Sequence, residues 1–227
     1  MLISLEGIDG AGKTTLINRV KDSINDTISN NFKLKTLEDY IIFTKAPYDP
    51  NFTEIIKNNN LDNMTLLHLF LADRRKHWLD IIKPALEQGK IVITDRFIDS
   101  TVIYQGLNFY ENNYNNEYSS LKYFFEKIAR LTLETTDYVV PDKTFWLNTS
   151  LLLIKGRLIK RGSLDNIEKS INIDKLHLTF EIYYKDYFYS IFPKRKNTLN
   201  ILNDQLPKNN VDKVVKLINE IINEKNR

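Results

Sequence analysis

The string Gly7-Ile8-Asp9-Gly10-Ala11-Gly12-Lys13-Thr14, followed by Thr15, lies between an apolar run at residues 2–5 and a helical pattern that follows directly. Few folds accommodate it. Glycines at 7, 10 and 12 let successive backbone N–H groups turn toward one point, and the start of the next helix adds partial positive charge. Lys13 can then reach the β- and γ-phosphates of a nucleotide, and Thr14 can offer its hydroxyl to Mg²⁺. This is a complete P-loop, and it predicts a parallel α/β sheet that holds a nucleoside triphosphate along residues 7–15. Motors, switches and kinases share the motif, so it says what is held and not what is done. No Asn-Lys-x-Asp or Thr-Lys-x-Asp string reads guanine, which makes ATP the expected donor.

Short β-branched or apolar runs at residues 2–5, 40–44, 91–94, 144–148 and 199–202 alternate with helical patterns. The alternation predicts five parallel strands with helices on both faces. Leu16, Ile17, Val20 and Ile24 recur at helical spacing, as do Val211, Val214, Val215, Ile218 and Ile222, so the first and last helices each bury one face. No repeat and no Pro/Gly/Ser-rich linker divides the 227 residues, so one domain over 1–227 is expected. Residues 108–120, rich in Asn and Tyr, read as a solvated surface loop.

Composition narrows the partners. Lys and Arg number 32 against 29 Asp and Glu, a net charge of +3 that predicts no nucleic-acid polymer and no membrane surface as partner. The absence of cysteine removes disulfides, thiol nucleophiles and thiolate metal sites. With no signal-like leader and no long uncharged run, a soluble cytoplasmic protein is expected.

Residues 91–94 end in Asp95-Arg96, and strand carboxyl ends line the ligand crevice of open parallel sheets. Asp95 is therefore a candidate for the Mg²⁺ shell, together with Thr14, and Arg96 for a phosphate. Ser100, Tyr104, Gln105 and Gly106 follow on what reads as a short helix facing the same crevice. Residues 64–86 form a long helical pattern whose apolar stripe carries Phe70 and, one turn on, Arg74. A guanidinium there pairs either with a ligand carbonyl beside an aromatic plate or with an internal carboxylate. His77 on the same face reads as a core histidine. Arg157, Lys160 and Arg161 form a basic edge closed by Gly162, either a solvated helix face or a lid, at about residues 155–170, that brings an arginine to a transferred phosphoryl group.

Taken in order, Glu6 to Thr15, Phe70-Leu71-Ala72-Asp73-Arg74, Asp95-Arg96 with Ser100 and Tyr104-Gln105-Gly106, Pro141-Asp142-Lys143-Thr144-Phe145-Trp146-Leu147, and the Arg161-Gly162 segment resemble the bacterial-type thymidylate kinase family. The resemblance implies a P-loop nucleoside-monophosphate-kinase-like fold, usually homodimeric, that transfers the γ-phosphoryl group of ATP to dTMP with Mg²⁺. It implies that Phe70 stacks on thymine, that Arg74 bonds its O4, and that Ser100, Thr101 and Gln105 flank the base. Tyr104 would sit against the sugar, and Asp9 near the 3′-hydroxyl and the acceptor phosphate. Arg96 would grip that phosphate, Lys13 and Arg161 would stabilise the group in transfer, with Arg157 beside the nucleotide as the alternative carrier of the lid's charge, and Thr14 with Asp95 would hold the metal. The chain departs from the family at Thr44-Lys45-Ala46-Pro47, where a point charge at Lys45 replaces the usual arginine fork. Two other functions fit a P-loop: a deoxyribonucleoside kinase, which needs a carboxylate base where Ala46 stands, and an ATPase switch module.

Overall fold

Strand β1 (Leu2–Glu6) is buried at all five positions. Side chains on a strand alternate between faces, so burial of every one means that both faces of the sheet are covered. The computed structural model describes residues 1–31, 36–58, 60–112, 120–162, 172–195, 198–203 and 207–225. After β1 come α1 (Lys13–Asn31), a short α2 (Leu37–Tyr40), β2 (Ile41–Lys45), α3 (Pro50–Asn58) and α4 (Asn63–His77). A π-helical turn (Trp78–Ile82) joins α4 to α5 (Lys83–Glu87), followed by β3 (Ile91–Asp95), α6 (Ile98–Asn112), α7 (Leu121–Glu134), β4 (Lys143–Asn148) and α8 (Leu151–Arg161). The chain closes with α9 (Ile173–Ile182), a second π turn (Tyr183–Tyr187), α10 (Phe188–Ile191), β5 (Leu199–Asn203) and α11 (Pro207–Lys225).

The sheet runs β2-β3-β1-β4-β5, and every neighbouring pair is parallel. All five expected strands are present. The chain begins in the middle of the sheet, fills one side with β2 and β3 and then crosses to β4 and β5. The order therefore reverses beside β1, and a crevice opens at the carboxyl ends of β1 and β3. The loop after β1 and the Asp95-Arg96 pair after β3 thus share one edge.

Helix α1 buries Leu16, Ile17, Val20 and Ile24, and α11, which packs against it, buries Val214 and Ile218. The side chains of Val211 and Ile222 lie outside the described residues. The helix expected over 64–86 is present as α4, the π turn and α5 in succession. His77 is a core residue: its Nε2 is hydrogen-bonded to Thr44 Oγ1 at 2.7 Å, and burial and the nearby Arg74 bring its pKa down to about 3.

Two expectations need correction. Residues 108–112 are not loop but the last turn of α6, held where Phe109 stacks on Phe124 of α7 at 6.1 Å. Residues 113–119 lie outside the described part. The helix carrying Ser100 to Gly106 is also not short, since α6 spans 15 residues. Its close contact with α7 depends on Gly106, where an added Cβ would stand 2.5 Å from Cδ1 of the fully buried Phe125. Alanine is the better helix former by about 1 kcal/mol, yet overpacking costs about 1–3 kcal/mol. Gly106→Ala is therefore expected to lower the denaturation midpoint; an unchanged or higher midpoint would show that Phe125 can move aside.

Candidate active site

The carboxyl edge of the sheet opens into a cleft of about 700 Å³. The site residues expected from sequence line it except Gly7, Ile8 and Ala11 of the phosphate loop and Gly106, which faces Phe125 of α7 instead. Gly7, Gly10 and Gly12 have φ of 150°, 84° and 101°, and the latter two lie in the left-handed region that glycine enters without strain. Lys13, at the start of α1, donates to the Gly7 and Ile8 carbonyls at 2.9 and 3.2 Å. Burial and Arg96 lower its pKa, against the attraction of Asp9, Asp95 and Glu6. From the other side Arg157 of α8 donates to the Gly10 and Ala11 carbonyls at 2.8 and 3.1 Å. Arg161 reaches the same cleft, and Gly162 caps α8 in the left-handed conformation. Of the lid expected over 155–170, residues 163–170 lie outside the described part.

Thr14 donates to Asp95 Oδ2 at 3.4 Å, while Asp95 Oδ1 is buried with no protein partner. A hydroxyl and a carboxylate with a spare oxygen suit Mg²⁺, which keeps several waters and takes further oxygens from bound phosphates. Among the described residues there is no group of three or more His, Cys, Asp or Glu able to hold a metal by itself. A Mg²⁺ ion held here would take the rest of its shell from waters and bound phosphates.

Arg96 follows β3 with a φ of 70°, a left-handed conformation rare outside glycine. Its Nη2 donates to Asp9 Oδ1 at 2.8 Å and to the Tyr104 hydroxyl at 3.2 Å, and its Nη1 donates to Ser100 Oγ at 2.8 Å. Tyr104 donates in turn to Asp9 Oδ2 at 3.3 Å. Burial works against the Asp9 carboxylate, but Arg96 and Lys13 outweigh it and hold its pKa well below the usual carboxylate range. Arg96 is kept firmly protonated by Asp9 despite its own burial. The result is a guanidinium fork held in a fixed orientation by Asp9, Ser100 and Tyr104.

Deeper in the cleft, Arg74 is 3% exposed and donates through Nη2 to Thr101 Oγ1 at 2.9 Å. Its guanidinium lies 4.9 Å from the centre of the Phe97 ring. Burial lowers its pKa to about 10, with Glu6, Asp73 and Asp99 opposing, so it stays charged at neutral pH. Arg74 Nε and Nη1 and Gln105 Oε1 are buried without partners. Of the two sequence readings, the carboxylate pair is absent: no ion pair to Arg74 occurs among the described residues. Phe70, one turn before Arg74, lines the same space, and Lys45 stands at its mouth.

The family model for thymidylate kinase matches residues 5–215. The chain belongs to the thymidylate kinase family. It is 32% identical to the thymidylate kinase of Exiguobacterium sibiricum over 74% of this chain and 72% of that one. It is 27% identical to that of Ligilactobacillus salivarius over 94% and 92%. A crystal structure of the Ehrlichia chaffeensis thymidylate kinase superposes with a TM-score of 0.58 at 27% identity, covering 96% of this chain and 98% of that one. Family membership makes this chain a kinase of nucleotide biosynthesis.

Sequence reasoning gave no role to several residues that build this thymidylate kinase site. Asp73 accepts from the backbone N–H groups of Tyr48 and Asp49 and so fixes the loop after β2. Asp99 makes a fully buried bidentate pair with Arg195 at 2.6 and 2.7 Å, joined by the Tyr183 hydroxyl. Ile56 and Lys57 of α3 also line the cleft. Glu6 and Asp73 left a sequence signal, each standing inside a string that carries the family resemblance; Asp99, Arg195, Ile56 and Lys57 left none.

Proposed function

We propose that this thymidylate kinase transfers the γ-phosphoryl group of ATP, with Mg²⁺, to the phosphate of dTMP, giving dTDP. The observation that carries the reading is the pair of unpartnered groups in the base pocket, the Arg74 donors and the Gln105 Oε1 acceptor. Together they match a pyrimidine edge presenting a carbonyl acceptor beside an N–H donor, as thymine does. Cytosine presents an amino donor where thymine has O4, and would leave buried groups unpaired.

The reaction needs no general base. A nucleoside monophosphate has a second pKa near ~6, so its attacking oxygen is already ionised at pH 7. What remains is alignment and charge stabilisation. The assignment gives Arg96 and Asp9 the acceptor phosphate, and Lys13 and Arg161 the group in transfer. Residues 7–15 with Arg157 take the donor, and Phe70, Thr101 and Ser100 surround the base beside Arg74 and Gln105. Tyr104, packed between Asp9 and Arg96, takes the sugar, and Lys45 supplies charge at the cleft mouth. Thr14 and Asp95 would hold Mg²⁺, which neutralises charge on the donor phosphates.

We further propose a single domain over 1–227 with a lid at about 155–170, and a homodimer acting in the cytoplasm without nucleic acid or membrane partners. No described helix is long and apolar enough to cross a membrane. Steady-state assays with ATP and Mg²⁺ against dTMP, dCMP and thymidine test the reaction. Turnover of dTMP is expected to exceed that of either alternative by at least about 100-fold. Thymidine turnover without dTMP turnover would instead indicate the nucleoside kinase, and acceptor-independent hydrolysis the ATPase switch.

A further inference from the structure

The left-handed turn that aims Arg96 is braced by the last two residues of β1, alongside Thr94, whose hydroxyl donates to the Arg96 carbonyl at 2.8 Å. The Leu5 carbonyl accepts from the Arg96 backbone N–H at 2.9 Å. Glu6, with 0% exposure, accepts from the Phe97 backbone N–H through Oε1 at 2.8 Å and from the Ser100 hydroxyl through Oε2 at 2.5 Å. Ser100 Oγ, its proton committed to Glu6, offers its lone pairs to Arg96 Nη1 at 2.8 Å. A chain of hydrogen bonds thus runs from Glu6 through Ser100 to the guanidinium.

A non-glycine residue in the left-handed region is strained and persists only where its surroundings over-determine it. A buried carboxylate is itself unfavourable, and both partners of this one are neutral donors. Burial and the nearby Asp99 bring the Glu6 pKa up to about 7, against the pull of Ser100, Arg96 and Phe97. A purely structural role would be filled more cheaply by an apolar side chain, as at Leu2, Ile3 and Leu5 of β1. We propose that Glu6 is a positioning residue: by fixing the proton of Ser100 and the N–H of Phe97, it sets the direction from which Arg96 meets the acceptor phosphate. The inference rests on the assignment of Arg96 to that phosphate.

The test uses the full chain. Glu6→Gln keeps an acceptor for Phe97 but meets Ser100 with a donor or a weaker acceptor, so the orientation of the Ser100 hydroxyl is lost. The expected result is a fall of about 10–100-fold in kcat/KM for dTMP, with the KM for ATP within about twofold of wild type. Ser100→Ala should show the same selective defect. The double variant Glu6→Gln/Ser100→Ala should be no worse than the poorer single one, because both cut one chain. Retention of wild-type dTMP parameters by Glu6→Gln, or equal losses toward both substrates, overturns the proposal. Should Glu6→Gln fail to fold, Glu6→Asp, which keeps the charge but shortens its reach to Ser100, takes its place, and unchanged dTMP parameters there overturn the proposal. Arg96→Ala serves as the reference. A defect there without one in Glu6→Gln removes this inference only, whereas no defect there removes the Arg96 assignment beneath it.

Discussion

Arg96→Ala should reduce kcat/KM for dTMP by about 10²–10³-fold or more, the usual consequence of removing a preorganised charged donor from a reacting centre. The variant does more than delete a contact. Arg96 satisfies Asp9 at 2.8 Å, so its loss leaves a carboxylate facing an incoming dianionic phosphate, and attraction becomes repulsion. Lysine should restore little, because a point charge cannot engage Asp9, Ser100 and a phosphate together as a planar fork does. ATP affinity should change little, since none of the Arg96 hydrogen bonds reaches the phosphate loop backbone. Titration of each variant with an ATP analogue, followed by calorimetry, measures this. A matching loss of ATP affinity would mean that Arg96 belongs to the donor side.

Lys13→Met is expected to act in the opposite sense, lowering kcat by about 10²–10³-fold while the KM for dTMP stays close to wild type. The ammonium rests on the Gly7 and Ile8 carbonyls; a bound triphosphate offers it stronger acceptors within the same loop. Methionine retains the length and the packing of the buried stem but not the charge. Single-turnover measurement at saturating dTMP separates the chemical step from binding. A normal rate in that experiment would exclude Lys13 from transition-state stabilisation.

Much of the site was legible because its parts are local. The phosphate loop occupies eight consecutive residues between a strand and a helix, and Asp95-Arg96 ends an apolar run whose position at the sheet edge follows from topology. Arg74 could be placed on an apolar stripe, but not assigned a partner, because burial alone does not reveal whether Thr101 or a carboxylate lies opposite. The supporting residues were less visible. Asp99 and Arg195 are 96 positions apart, and no periodicity links two charges at that distance. Glu6 belongs to a recognisable string, yet its partners become apparent only once β3 is laid beside β1. Residues 108–112 looked like loop because Asn and Tyr are weak helix formers; packing of Phe109 on Phe124 overrode that preference.

The buried Asp99–Arg195 pair also bears on the order in which the molecule can become complete. Each nucleotide-facing residue assigned above has been synthesised by position 161, but the counter-charge for Asp99 arrives 34 residues later. Separating the partners of a buried pair costs about 3–5 kcal/mol, a large share of the stability of an ordinary domain. A nascent chain that already carries the whole reaction centre should therefore still be loosely ordered at the start of α6, and competence for catalysis should appear late in synthesis.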